Sequence, residues 1–162
     1  IQKNLLFLQS YKDSGLITEE DIVEAIPKTL QDNIFDLTQL ILTKKIDQAR
    51  DLVKDLTLQG EDEIKLIAIM LGQFRLYTQV KILQESGQTE SQMVSSLGHY
   101  LGRNPNPYQI KFALRDTRGL SLNFLQDSIR YLIQADYQIK TGVYEKGYLF
   151  EKALLQIASQ SN

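Results

Sequence analysis

No cysteine occurs in the 162 residues. That excludes a disulfide framework and any cysteine-ligated zinc or cluster, and it fits a reducing cytoplasm. Histidine is nearly as scarce. His99 stands alone in what reads as a loop, so no histidine-rich metal site can form and the residue is assigned no function. Three prolines, at 27, 105 and 107, leave long stretches free to form helices, and strand-like alternation is sparse. No uninterrupted apolar run reaches the roughly 18 residues that span a bilayer, so no membrane partner is expected. The first residues carry neither a signal-peptide core nor an initiating methionine, which leads us to expect an excised fragment. A net charge of -2 gives no global attraction for nucleic acid or an anionic membrane.

Phosphate-binding glycine loops are missing as well. Gly98 and Gly102 are not followed by the lysine and hydroxyl residue that a nucleotide cradle needs, so the chain is not expected to bind or hydrolyse ATP by itself. Asp51 and Asp55 share a helix face, but their basic and apolar neighbours fit surface pairing better than a polymerase metal site. No catalytic residue, cofactor or metal ligand is expected.

What is present is one substantial core's worth of apolar residues, 43% of the chain against 23% charged, arranged with helical periodicity. We expect an all-α helical bundle. A helix ends over 4–11, closed by Lys12-Asp13-Ser14-Gly15, and another opens at Thr18-Glu19-Glu20-Asp21 and stops at Pro27. Asp32 or Asn33 can cap a helix bearing Ile34, Leu37, Thr38 and Ile41. Ile46, Ala49, Leu52, Val53 and Leu56 mark the next, which Gly60 ends. The short Lys44-Lys45 break between them favours an antiparallel pair.

Glu61, Asp62 and Glu63 open a long helix that stays apolar from Ile64 to Leu83 around much of its circumference, so it belongs at the centre. Arg75 lies within it. Two readings stand open: a stem along apolar surface with its head in water, or an ion pair with a neighbouring helix.

Thr89-Glu90-Ser91-Gln92 is a capping-box pattern, and Asn106-Pro107 caps and starts the following helix. Two short helices around a glycine-containing link look like a DNA-reading helix-turn-helix, with Lys111, Arg115 and Arg118 on one face of the second. The link is long for that motif and Asp116 interrupts the basic run. A solvated face, an acidic partner surface and nucleic-acid backbone all remain open. The tyrosines and phenylalanines read mostly as core.

From Ser121 to Ala158 one apolar stripe is broken by an acid. Leu122, Leu125, Ile129, Leu132, Asp136 and Ile139 recur in steps of three and four, which points Asp136 inward with Lys140 one turn on as its partner. The pair is either a partly exposed ion pair beside the Thr141-Gly142 helix end or a latch between helices or subunits.

The run Leu132-Ile133-Gln134-Ala135-Asp136-Tyr137-Gln138-Ile139-Lys140-Thr141-Gly142, followed by Leu149, Glu151 and Ala153-Leu154-Leu155-Gln156-Ile157, resembles the C-terminal region of the delta subunit of the bacterial DNA polymerase III clamp loader. Asn33-Ile34-Phe35-Asp36-Leu37, Gln73-Phe74-Arg75 with Lys81, and Asn106-Pro107-Tyr108 with Lys111 are similar to the same family in the same order. The resemblance covers roughly Pro27 to Ile157 and rests on order and spacing.

It implies a helical collar domain over 27–162, preceded by trailing helices of a lid domain over 1–26. It also implies that an AAA+-like module precedes both, outside this chain. The implied role is non-catalytic assembly with the delta-prime and tau/gamma subunits in the cytoplasm. The sliding clamp would be reached only through the absent module, and DNA only indirectly or weakly. Arg75, Lys111, Arg115 and Arg118 are the expected polar contacts, Asp136 with Lys140 the latch, and Tyr137, Tyr144 and Tyr148 the aromatic anchors. The alternative function is a helix-turn-helix-like DNA-binding domain; a stand-alone enzyme ranks third.

Overall fold

The computed structural model describes Thr18 and residues 28–161. The helix end expected at 4–15, the helix expected between Thr18 and Pro27 and the boundary near Ile26 lie outside the described residues. The chain divides into two compact units, 1–33 and 34–162.

Among the described residues there are seven α-helices and no strand: α1 Leu30–Leu42, α2 Ile46–Leu58, α3 Glu63–Glu85, α4 Glu90–Leu101, α5 Pro107–Asp116, α6 Leu122–Lys140 and α7 Lys146–Ala158. Side-chain caps set most of their starts. The Thr89 hydroxyl accepts from the Gln92 N–H while the Gln92 side chain accepts from the Thr89 N–H, closing the expected capping box on α4. Asn106 accepts from the Tyr108 N–H with Pro107 in the first turn of α5. Asp62 caps α3 through the Ile64 N–H, and Ser121 caps α6 through the Phe124 N–H.

Two expected ends differ from the structure. Thr29, not Asp32 or Asn33, caps α1, because the Thr29 and Asp32 side chains each accept from the other's backbone N–H at 3.1 Å. The aspartate is the third residue of a reciprocal box, so the helix starts earlier. Likewise α4 runs on to Leu101 before Gly102 turns left-handed at φ 70°. His99 is therefore in a helix, exposed in its last turn, where a basic group is compatible with the helix dipole.

Helix α3 is the bundle's centre. Leu66, Ile67, Met70, Phe74 and Val80 have no exposed surface, and α4, α5, α6 and α7 all pack around it. Burying each such side chain contributes roughly 1.5–3 kcal/mol. By length and composition alone α3 would pass as a membrane span, yet here its apolar face is spent on the other helices. Thr38, fully buried on α1, donates to the Ile34 carbonyl and to Gln73 of α3. Arg50 of α2 pairs with Glu151 of α7 at 2.6 Å, and Lys146 of α7 pairs with Asp62 at 2.9 Å. That second pair holds the exposed Asp62 carboxyl below its ordinary pKa, with the Ile64 N–H adding to the effect. Among the described residues no buried side-chain polar atom lacks a hydrogen-bond partner.

Two glycines carry opposite expectations. Gly142 ends α6 at φ 70°, where its N–H bonds the Ile139 carbonyl and the Val143 N–H bonds the Gln138 carbonyl. Gly72 sits mid-helix on the exposed side of α3 with open space where a Cβ would go. Gly142→Ala should destabilise the fold by about 1 kcal/mol through left-handed strain. Gly72→Ala should stabilise it by about 0.5–1 kcal/mol through helix propensity. Urea denaturation of the two variants checks the opposite signs.

Candidate interaction surface

Helix α5 is held by a carboxylate that reads in the sequence as a mere gap in a basic run. The Asp116 side chain is 3% exposed. Its Oδ2 accepts from Gln39 Nε2 of α1 at 2.8 Å and from the Tyr77 hydroxyl of α3 at 2.9 Å, and its Oδ1 accepts from Arg115 Nε at 2.9 Å. Three donors thus satisfy one buried charge and join three helices. Burial first, then the Asp116 charge, pushes the Tyr77 phenol well above its ordinary pKa, so it stays a donor.

Outward from this node, the Arg115 guanidinium lies 5.0 Å from the centre of the Phe112 ring, and Phe112 tilts against Phe35 of α1 at 6.1 Å. Lys111 and Arg118 are exposed, and among the described residues their side chains make no hydrogen bond or ion pair. Lys111 and Arg115 stand one turn apart on α5, Arg118 lies in the turn past its end, and of the three only Arg115 is fixed by a partner. Arg75 is on the exposed side of α3, also without an ion pair among the described residues. It is not part of the α3 core.

The expectation that Asp136 points inward needs correction. Its side chain is 25% exposed and Lys140's 57%, with 2.8 Å between Nζ and Oδ2, so the pair lies at the margin of α6 and within that one helix. The buried stripe runs instead through Phe124, Leu125, Ser128, Leu132, Ala135 and Ile139. Small Ser128 and Ala135 take inward places because they allow α3 and α7 to pack closely against α6.

The aromatics divide differently from a mostly buried set. Tyr137, Tyr144 and Tyr148 are exposed, Tyr137 to 66%, and Tyr100 and Tyr108 are exposed with them, while Tyr77 is buried. Tyr144 and Tyr148 meet edge to face at 5.9 Å across the start of α7. Ile133 and Val143 add exposed aliphatic surface that the sequence does not single out. Their signal is faint: Ile133 follows Leu132 directly and so falls off the helical stripe.

Between α1 and α2 an open groove of about 510 Å³ is lined by Asp36, Gln39, Leu40, Gln48, Asp51, Leu52 and Asp55. The surface pairing expected for Asp51 and Asp55 is absent among the described residues. No group of three or more histidine or acidic side chains among the described residues is placed to hold a metal. What the molecule presents is charged and aromatic surface suited to protein contact.

Asp116→Ala should cost about 2–4 kcal/mol in urea denaturation, because the buried Tyr77 and Gln39 donors lose their acceptor. Raising the pH past the ordinary tyrosine value of about 10 favours the unfolded chain, where Tyr77 ionises more readily. Stability should therefore fall more steeply above that pH in the wild type than in Tyr77→Phe, as thermal melts at graded pH would record. Asp136→Ala should cost less than about 1 kcal/mol, the usual worth of an intrahelical pair with an exposed partner, by the same melts.

Comparison with known proteins agrees with this geometry. The family described as DNA polymerase III delta subunit, C-terminal domain, matches residues 31–157. DNA polymerase III subunit delta of Bacillus subtilis (strain 168) is 32% identical over 161 residues, which are 99% of this chain and 44% of that protein. Among solved structures, the Bacillus subtilis DNA clamp loader delta protein (YqeN) superposes with a TM-score of 0.82 at 31% identity, over 98% of this chain and 44% of that one. The chain thus spans less than half the length of these relatives. Nothing in the likenesses supports a helix-turn-helix DNA reader. With the matched segment running from α1 into α7, the chain belongs to the family formed by the C-terminal domains of DNA polymerase III delta subunits.

Proposed function

We propose that this chain is a collar: a helical scaffold without its own catalytic site, through which a delta subunit joins the delta-prime and tau/gamma subunits of a cytoplasmic clamp loader. Residues 1–26 would trail a lid domain and 27–162 form the collar. The remaining length of such a protein would hold the module that meets the sliding clamp, so DNA would be engaged only indirectly by this part.

The observation that carries this reading is exposed aromatic and aliphatic surface along the second half of α6 and into the start of α7: Ile133, Tyr137, Val143, Tyr144 and Tyr148. Exposed apolar side chains grouped in this way favour a protein partner, and tyrosines are frequent anchors of interfaces. Arg75, Lys111, Arg115 and Arg118 are the polar contacts. The Asp136 and Lys140 pair, exposed on its lysine side, stays available to a neighbour at the rim.

Size-exclusion chromatography of this chain with delta-prime and tau/gamma subunits tests the reading, and co-elution is the expected result. The double variant Tyr144→Ala/Tyr148→Ala should weaken association by about 2 kcal/mol or more while far-UV circular dichroism stays unchanged. Wild-type affinity in that variant would remove the aromatic turn from the interface, and no co-elution of the folded wild type would overturn the collar reading.

A further inference from the structure

We propose that the outer face of α5 is an electrostatic docking surface for an acidic helix of a neighbouring loader subunit, one presenting carboxylates at three- or four-residue spacing. This rests on the collar reading and adds which face is polar and what chemistry it takes.

Charge is segregated along the chain. Residues 91–126 hold four cations, Arg103, Lys111, Arg115 and Arg118, and a single acid, Asp116, although the whole chain is at -2. That acid is buried and ion-paired with Arg115, so it offsets that arginine and leaves Arg103, Lys111 and Arg118 as net positive charge outside. Arg103, Lys111 and Arg118 are exposed, with no side-chain hydrogen bond or ion pair among the described residues. Cations left unpaired beside a helix whose one acid is buried are suited to carboxylates brought by another molecule.

The same face carries exposed Tyr108 and Phe112. Phe112 is held between Phe35 and the Arg115 guanidinium, which is itself fixed by Asp116, so part of the surface is ordered before any partner arrives. An aromatic held in place on a helix that also bears exposed cations favours a protein over a phosphate backbone. The slight net negative charge of the chain works the same way, since a long polyanion would meet repulsion from the rest of the surface.

Spacing agrees. Lys111 and Arg115 are one turn apart on α5, the step matched by carboxylates one turn apart on a facing helix, and Arg118 follows in the turn just past the helix end at Thr117.

The test measures association of the full chain with delta-prime and tau/gamma subunits by fluorescence anisotropy at about 50 mM and about 500 mM salt, where screening lengths differ several-fold. Wild-type affinity should fall at least about tenfold at the higher salt. Lys111→Glu/Arg118→Glu should lose at least about tenfold at low salt, whereas Lys111→Arg/Arg118→Lys should stay within about threefold, because charge and not fork geometry carries the contact. Lys54→Glu on α2 should bind like wild type, and circular dichroism should match in all variants.

Wild-type binding to the loader subunits by the charge-reversed variant overturns the assignment of this face and leaves the collar reading intact. Failure of the wild type to bind any of them removes both. If charge reversal instead abolishes affinity for a duplex of roughly 25 base pairs and leaves binding to the other subunits unchanged, the face belongs to nucleic acid and the proposal is overturned.

Discussion

Helix α3 could not persist in water alone, and the remaining architecture follows from that. Seven of its side chains, from Leu66 to Val80, need apolar cover, and α4 through α7 are arranged around it to supply that cover. Its polar side chains mark the edges of the arrangement. Gln73 accepts from the Thr38 hydroxyl of α1, Tyr77 reaches Asp116 at the end of α5, and Arg75 faces solvent. Hydrophobic burial thus gives the helices a common centre, while a few directed hydrogen bonds fix how each is placed against it.

The Asp116 node links that interior to the surface. A buried carboxylate is tolerated only with full hydrogen bonding, and its three donors come from α1, α3 and the neighbouring residue of α5. Satisfying it removes the one acid of the basic stretch from the surface and orients Arg115 over Phe112. The positive outer face of α5 and the tyrosines around the α6–α7 turn then make two chemically distinct surfaces on one bundle. One sets exposed cations beside Tyr108 and Phe112, the other is aromatic and aliphatic.

Much of the fold is legible in local signals because those signals are local in origin. Thr89 with Gln92, and Asn106 with Pro107, set helix starts through bonds spanning two or three residues. The central place of α3 is visible as apolar residues around most of a helix. Features that depend on distant partners are not visible. Asp116 reads as an interruption because Gln39 and Tyr77 lie 77 and 39 residues away in the chain. Asp136 reads as inward because steps of three and four fit Ile129 and Asp136 as well as Ser128 and Ala135, and small residues suited to close packing leave no hydrophobic signal. The aromatics as a group read mostly as core for a related reason, although Tyr100 and Tyr108 are exposed: ring size indicates packing area, but not whose area.

The pairing of α2 with α7 has a further consequence for how the molecule is made. Arg50 reaches Glu151 across 101 residues, and α7 is the helix against which α2 chiefly packs. At a synthesis rate of about 5–20 residues per second, α2 waits on the order of ten seconds before its partner exists. During translation α2 therefore emerges as an amphipathic segment without its docking site. Its inward side, Ala49 and Leu56, must be shielded by other means until α7 leaves the ribosome.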